Sequence, residues 1–186
     1  MSILDPFILP SKGANLLTRI KRFNYSPEFH TSAGTVTFYW DKMKSEPLFL
    51  QFFSEFKPGT GEWWFPKGHV EPGDTSVEYR ALQETKEEVG LEVNLLNKLT
   101  DNKYTFYFDP KRIKVTKTVH YFLAQSLTQD VSFTRFNTDQ NEIDHFKKFS
   151  WEPVNKAMEQ TKHFVEKQML QEAYSWIIKN NDKIVK

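Results

Sequence analysis

The stretch GHVEPGDTSVEYRALQETKEEVG, residues 68–90, constrains this chain more than any other. Its first half resists regular structure, because Gly68, Pro72 and Gly73 interrupt any helix or strand pattern begun there. Its second half reads as a helix. Thr75 and Glu78 match a capping box, Val77, Ala81, Leu82, Thr85 and Val89 would form the buried side, and Gly90 stands where a helix-ending glycine belongs. On that helix Glu84, Glu87 and Glu88 share one face. Each like-charge pair at this spacing costs about 0.2–0.5 kcal/mol. An open, solvated surface tolerates such a cluster, and so does a divalent cation that neutralises it.

The approach to the helix favours the cation. Pro66-Lys67-Gly68-His69 and Pro72-Gly73-Asp74 lead straight into its N-terminus. Glycine lets a backbone come close to a phosphate, and a helix N-terminus favours anions. Lys67 adds a point charge. Carboxylate oxygens with room for water and phosphate oxygens suit Mg²⁺, or Mn²⁺. The parts read as a metal-assisted phosphate site.

The segments GHVEPGD (68–74) and QETKEEVGL (83–91) resemble the two halves of the Nudix box. That pattern is a glycine, five residues, a glutamate, seven residues, then Arg-Glu-U-x-Glu-Glu-x-Gly-U, with U bulky and apolar. The wider resemblance covers roughly 30–180. PKGHVEPGD, KVTKTVHYFLAQ (114–125) and NEIDHFKKFSW (141–151) are most similar to the diadenosine tetraphosphate hydrolase branch. The resemblance implies an α/β (α+β) fold, an α/β/α sandwich around a mixed sheet. It implies Glu84, Glu87 and Glu88 as Mg²⁺ ligands. It makes Glu142, in the late segment, a candidate ligand or base, and leaves the activation of water to Glu87, Glu88 or Glu142. The activity implied is asymmetric cleavage of diadenosine tetraphosphate to ATP and AMP. An RNA 5′-pyrophosphohydrolase, an NDP-sugar hydrolase, a diphosphoinositol polyphosphate hydrolase and a nucleotide-binding module without turnover are the alternatives.

The sequence departs from the pattern in four places. Fifteen residues separate Gly68 from Glu84, where the pattern has fourteen. Asp74 stands for the usual glutamate, Thr85 for an apolar residue, and Gln83 for the arginine that the resemblance implies holds the acidic cluster. Arg80 is one helical turn before Glu84 and is the substitute expected for that arginine. With Gly73, Asp74 and Gly90 it makes up the structural set. Lys67, Gly68, His69, Lys117 and Tyr121 are the substrate-binding candidates, with Lys114 a weaker phosphate contact. Trp63, Trp64 and His120 join Tyr121 as possible platforms for a base. His69 is expected to hydrogen-bond within its loop.

The rest of the chain supplies the frame. Residues 30–40 and 48–56 read as strands, 91–99 begins another, and 103–110 and 113–127 form a hairpin around Asp109-Pro110. A short strand ends near Trp151, and one long amphipathic helix spans roughly 153–179. Residues 1–30 exceed the compact fold and would cover a sheet edge or form a dimer contact. The 186 residues suit one domain. The absence of cysteine excludes a disulfide scaffold, a thiolate metal site and a cysteine nucleophile, and fits a reducing, cytoplasmic setting. A net charge of +1 predicts no general nucleic-acid binding. No run approaches the ~18 apolar residues of a membrane span, and the N-terminal segment lacks the basic start of a secretory leader. No Ser-His-Asp grouping or zinc spacing is present. The expected partner is a small nucleotide.

Overall fold

The computed structural model describes residues 25–55, 59–108, 111–132 and 146–185. Glu142 and the Asp109-Pro110 turn lie outside the described residues. The strands are β1 (Ser26–Asp41), β2 (Glu46–Ser54), β3 (Glu62–Trp64), β4 (Lys67–His69), β5 (Val93–Lys98), β6 (Asn102–Phe108), β7 (Ile113–Ser126) and β8 (Phe146–Pro153). The helices are α1 (Val77–Val89), α2 (Val154–Gln160) and α3 (Phe164–Lys179).

β1 and β7 form the parallel spine of a mixed sheet, in register from Ser26–Ile113 to Tyr39–Ser126. Their other neighbours pair antiparallel: β4 and β2 divide β1 between them, β6 and β5 divide β7, and β2 also carries β3 and β8. Residues 26–30 are thus part of β1, so the compact fold begins earlier than residue 30.

Strand alternation sends β1 and β7 side chains to two cores. Val36 and Phe38 of β1 and Val119, Tyr121 and Leu123 of β7 pack against Met169, Leu170, Ala173 and Ile177 of α3. Ala33 and Phe122 pack against Ala81 of α1. The sheet therefore lies between α1 on one face and α2–α3 on the other. Each fully buried large side chain, such as Phe38, Phe49 or Phe65, contributes about 1.5–3 kcal/mol of apolar burial.

Two helix expectations need correction. The N-cap of α1 is Ser76, whose hydroxyl accepts from Tyr79 N at 3.0 Å, so the cap falls one residue after Thr75. The single helix expected over 153–179 is two helices, interrupted at 161–163. On an unbroken helix Ala157 and Glu166 would stand nine positions, or about 180°, apart. Both are buried, so the chain must rotate between them. Thr161 fixes the break: it leaves the helix in an extended conformation, donates to Ala157 O at 2.9 Å and accepts from Gln51 Nε2 at 2.6 Å. Among the described residues no helix is long and apolar enough to cross a membrane.

Candidate metal and phosphate site

The loop into α1 is built by reciprocal hydrogen bonds. Asp74 N donates to Glu71 O at 3.1 Å, and Glu71 N donates to the Asp74 carboxylate at 2.7 Å. Gly73 supplies the positive φ this turn requires. Asp74 therefore spends its carboxylate on the turn. α1 ends at Gly90, left-handed at φ 71°, with its N–H on Lys86 O.

On α1 the acidic residues divide by burial. Glu84 and Glu88 are buried, whereas the Glu87 side chain is 41% exposed. Glu88 Oε2 accepts from Lys67 N at 2.8 Å, which ties the loop backbone to the helix. Glu84 lies against Gly68, where a methyl group would overlap its carboxylate. Arg80 Nη2 donates to Glu84 Oε1 and lies 3.6 Å from Glu87 Oε2. Burial alone would depress the Arg80 guanidinium. The charge and hydrogen bond of Glu84, then Glu87 and Glu71, outweigh it and raise the pKa, so the cation is secure.

Thr85 explains itself as a buried residue. Its hydroxyl donates to Ala81 O at 2.8 Å and shares a 2.7 Å hydrogen bond with Thr35, which in turn meets Thr37 at 2.8 Å. An apolar residue there would strand the threonines of β1.

Positive charge gathers on the α3 side of the sheet. Register puts Lys67 opposite Gly34, His69 opposite Ser32 and Lys117 opposite His30, all on one face of β1. The His69 ring meets His30 edge-on at 5.7 Å, a contact across strands rather than the loop hydrogen bond expected of it. Burial lowers the His69 pKa, and Lys117, His30, Lys67 and Arg80 lower it further, so the imidazole is neutral at pH 7. Burial, then Lys67, pulls Lys117 down to about 8 against the opposing pull of Glu84. Lys117 therefore loses its charge as pH rises through about 8.

Not every candidate faces this site. Tyr121 is 1% exposed and packs edge-on against Phe65 at 6.2 Å, so it is core and offers no face to a base, which corrects its reading as a substrate contact. Lys114 and His120 alternate to the other face of β7 from Lys117, and His120 Nδ1 engages Asp101 at 2.9 Å. Trp63 packs on Phe53 at 5.4 Å under Lys148. Trp64 stays at the site, with Lys67 Nζ 5.0 Å from its ring centre. The sequence reading missed His30, which meets His69, and His163, whose ring meets Trp64 at 5.4 Å.

Among the described residues no three or more His, Asp or Glu side chains are gathered into a metal-holding group. The donor chemistry still fits a hard divalent cation: two buried carboxylates and a half-exposed one on a single helix, beside a backbone stripped of its Cβ at Gly68. Arg80 is expected to hold that set in place. Arg80→Ala would remove a charged hydrogen-bond partner from the buried Glu84 carboxylate at a cost of about 1–3 kcal/mol. The thermal midpoint should fall by roughly 3–10 °C. Metal affinity and rate should fall with it, and a variant unchanged in both would remove Arg80 from the site.

The NUDIX domain model matches residues 28–173. The rat asymmetrical bis(5′-nucleosyl)-tetraphosphatase is 40% identical over 73 residues, 39% of this chain and 48% of that protein. The pig enzyme of the same name is 36% identical over 77 residues, 39% of this chain and 48% of its own. The matches thus span under half the length of these relatives. A Caenorhabditis elegans Ap4A hydrolase binary complex superposes with a TM-score of 0.57 at 21% identity, covering 80% of this chain and 98% of that one. The Nudix domain of Shewanella oneidensis NrtR, complexed with ADP ribose, gives 0.59 at 14% identity over 87% and 96%. At these identities the superpositions speak for the fold.

Proposed function

This chain belongs to the Nudix family, and on that premise we propose that it hydrolyses a phosphoanhydride bond in a nucleoside diphosphate linked to another group. The first substrate is diadenosine tetraphosphate, cleaved to ATP and AMP. One observation carries the reading: the buried carboxylates of Glu84 and Glu88 lie against the Lys67–Gly68 backbone, beside a local cluster of cations that the net charge conceals. The partial matches to asymmetrical tetraphosphatases support the substrate.

Glu84, Glu87 and Glu88 would hold Mg²⁺, with Glu142 as a further ligand. Bound there, the ion supplies charge neutralisation and polarisation of a phosphoryl oxygen. The chain supplies the rest. Gly68 leaves room for the Glu84 carboxylate against the loop backbone, and Lys67 and Lys117 offset the charge of the phosphate chain. Arg80 fixes Glu84 and keeps Glu87 near it. A water oxygen bonds to phosphorus, the bridging P–O bond breaks, and the water's proton passes to a carboxylate. Glu87, the exposed and least tightly held of the three, is our choice for that base, ahead of Glu88 and Glu142.

Lys117 gives this reading a pH signature. Its cation is lost as pH rises through about 8, so KM should climb above that pH. Lys117→Arg should flatten the climb, because arginine keeps its charge. Lys117→Met should raise KM roughly 10- to 100-fold at pH 7, the loss of one charge-assisted phosphate contact. A KM that ignores all three changes would take Lys117 out of the substrate site.

The substrate is tested by chromatography of products formed with Mg²⁺. ATP and AMP in equal amounts are expected. Two ADP would overturn asymmetric cleavage, and turnover confined to RNA 5′ ends, NDP-sugars or diphosphoinositol polyphosphates would reassign the substrate.

A further inference from the structure

Glu166 is the buried acidic residue of α3. It lies in the first turn, 3% exposed, on the apolar face one turn before Met169 and Leu170. Its Oε2 has no hydrogen-bond partner among the described residues. A buried carboxylate oxygen without a donor destabilises the fold unless something else supplies one.

The surroundings indicate what would supply it. Tyr104 pairs with Lys117 and Phe106 with Val115, so the two rings stand on the face that α3 covers, stacked on each other at 6.2 Å. Tyr104 remains 40% exposed. Lys67 Nζ lies over Trp64, whose ring meets His163, the N-cap of α3, at 5.4 Å. Glu166 sits among these groups. Burial raises its pKa against the pull of His163 and Lys67, and its charge raises the pKa of Tyr104 and Tyr121 in turn. The contacts run without a gap from Glu88 through the Lys67 backbone and side chain to Trp64, His163 and the start of α3. The phosphate end of the site is therefore joined through packed side chains to a group of aromatic rings and a buried, unpaired acceptor.

We propose that Glu166 is a specificity-determining residue that reads the nucleobase, its Oε2 accepting a hydrogen bond from an amino group on a purine edge. This rests on the nucleotide reading above and adds the element that selects the base. A phosphate would be repelled by this carboxylate, whereas a purine brings a flat face for the aromatic rings together with a donor. A site built to bond an N–H discriminates sharply against the analogue that lacks it, because the unpaired group stays behind.

The test uses three ligands that do not turn over: AMP, purine riboside 5′-monophosphate, which lacks only the amino group, and ribose 5-phosphate. Affinities are measured on the full chain and on Glu166→Gln and Glu166→Met. The wild type should bind AMP at least tenfold more tightly than the purine riboside. Glu166→Met should erase that gap and leave ribose 5-phosphate unchanged, and Glu166→Gln, which keeps an acceptor oxygen, should restore part of it. Thermal midpoints should not fall in either variant, since each removes an unpaired carboxylate. An equal gap in all three proteins, no gap in the wild type, equal weakening of all three ligands, or a marked fall in the midpoint would overturn the assignment. Binding of none of the three would overturn the nucleotide reading along with it, which separates the two failures.

Discussion

Glu88→Gln is expected to lower kcat roughly 10³-fold, the several kcal/mol of charge stabilisation that a divalent cation contributes to such a reaction. The substitution is nearly isosteric. Its amide oxygen can still accept from Lys67 N, the bond that ties the loop to α1 at 2.8 Å. The loop should therefore keep its place while the helix face loses one formal charge. Mg²⁺ affinity should drop together with kcat, and the thermal midpoint should hold or rise, because a buried charge has been removed. Full activity in this variant would mean that the acidic helix is scaffolding only.

Gly68→Ala should be nearly as damaging to activity, for a different reason. A methyl at Gly68 would overlap the Glu84 carboxylate, the movable end of a flexible side chain. The side chain can swing away at small cost to the fold, but it then leaves Arg80 and the position it shares with the loop. We expect at least a 10²-fold fall in kcat, the scale of a misplaced charged group at a reacting centre. The midpoint should move by only a few degrees, or about 1 kcal/mol. Gly34→Ala serves as the contrast, since its methyl would meet backbone at Pro66 and Lys67, which cannot swing aside. That variant should lose stability first. Equal midpoints and opposite activities would refute this division of labour between the two glycines.

The legible parts of the fold were those that local chemistry punctuates. Gly90 announced the end of α1, alternation and β-branching announced β1, an apolar run announced β2, and the β6–β7 hairpin followed from its two runs. The break between α2 and α3 was hidden, because it depends on Gln51 reaching Thr161 across 110 residues. β3 and β4, three residues each, are too short to leave a pattern. The site shows the same divide. The acidic face of α1 and the Arg80 partner follow from helical spacing. Tyr121 looked like a platform because a strand's aromatic residue carries no label for its face, and only the packing of Phe65 and α3 assigns it to the core. The basic cluster was concealed by a balanced composition: Lys67 and Lys117 are fifty residues apart, and the β4–β1–β7 register brings them to one face.

The most direct test of the central claim is the rate of diadenosine tetraphosphate hydrolysis as a function of Mg²⁺ concentration, for the wild type and Glu88→Gln side by side. A saturable dependence on Mg²⁺ in the wild type, shifted to higher concentration and reduced in ceiling in the variant, is the predicted result. Hydrolysis that proceeds equally in both proteins, or that ignores Mg²⁺, would contradict the assignment of α1 as the metal-holding element.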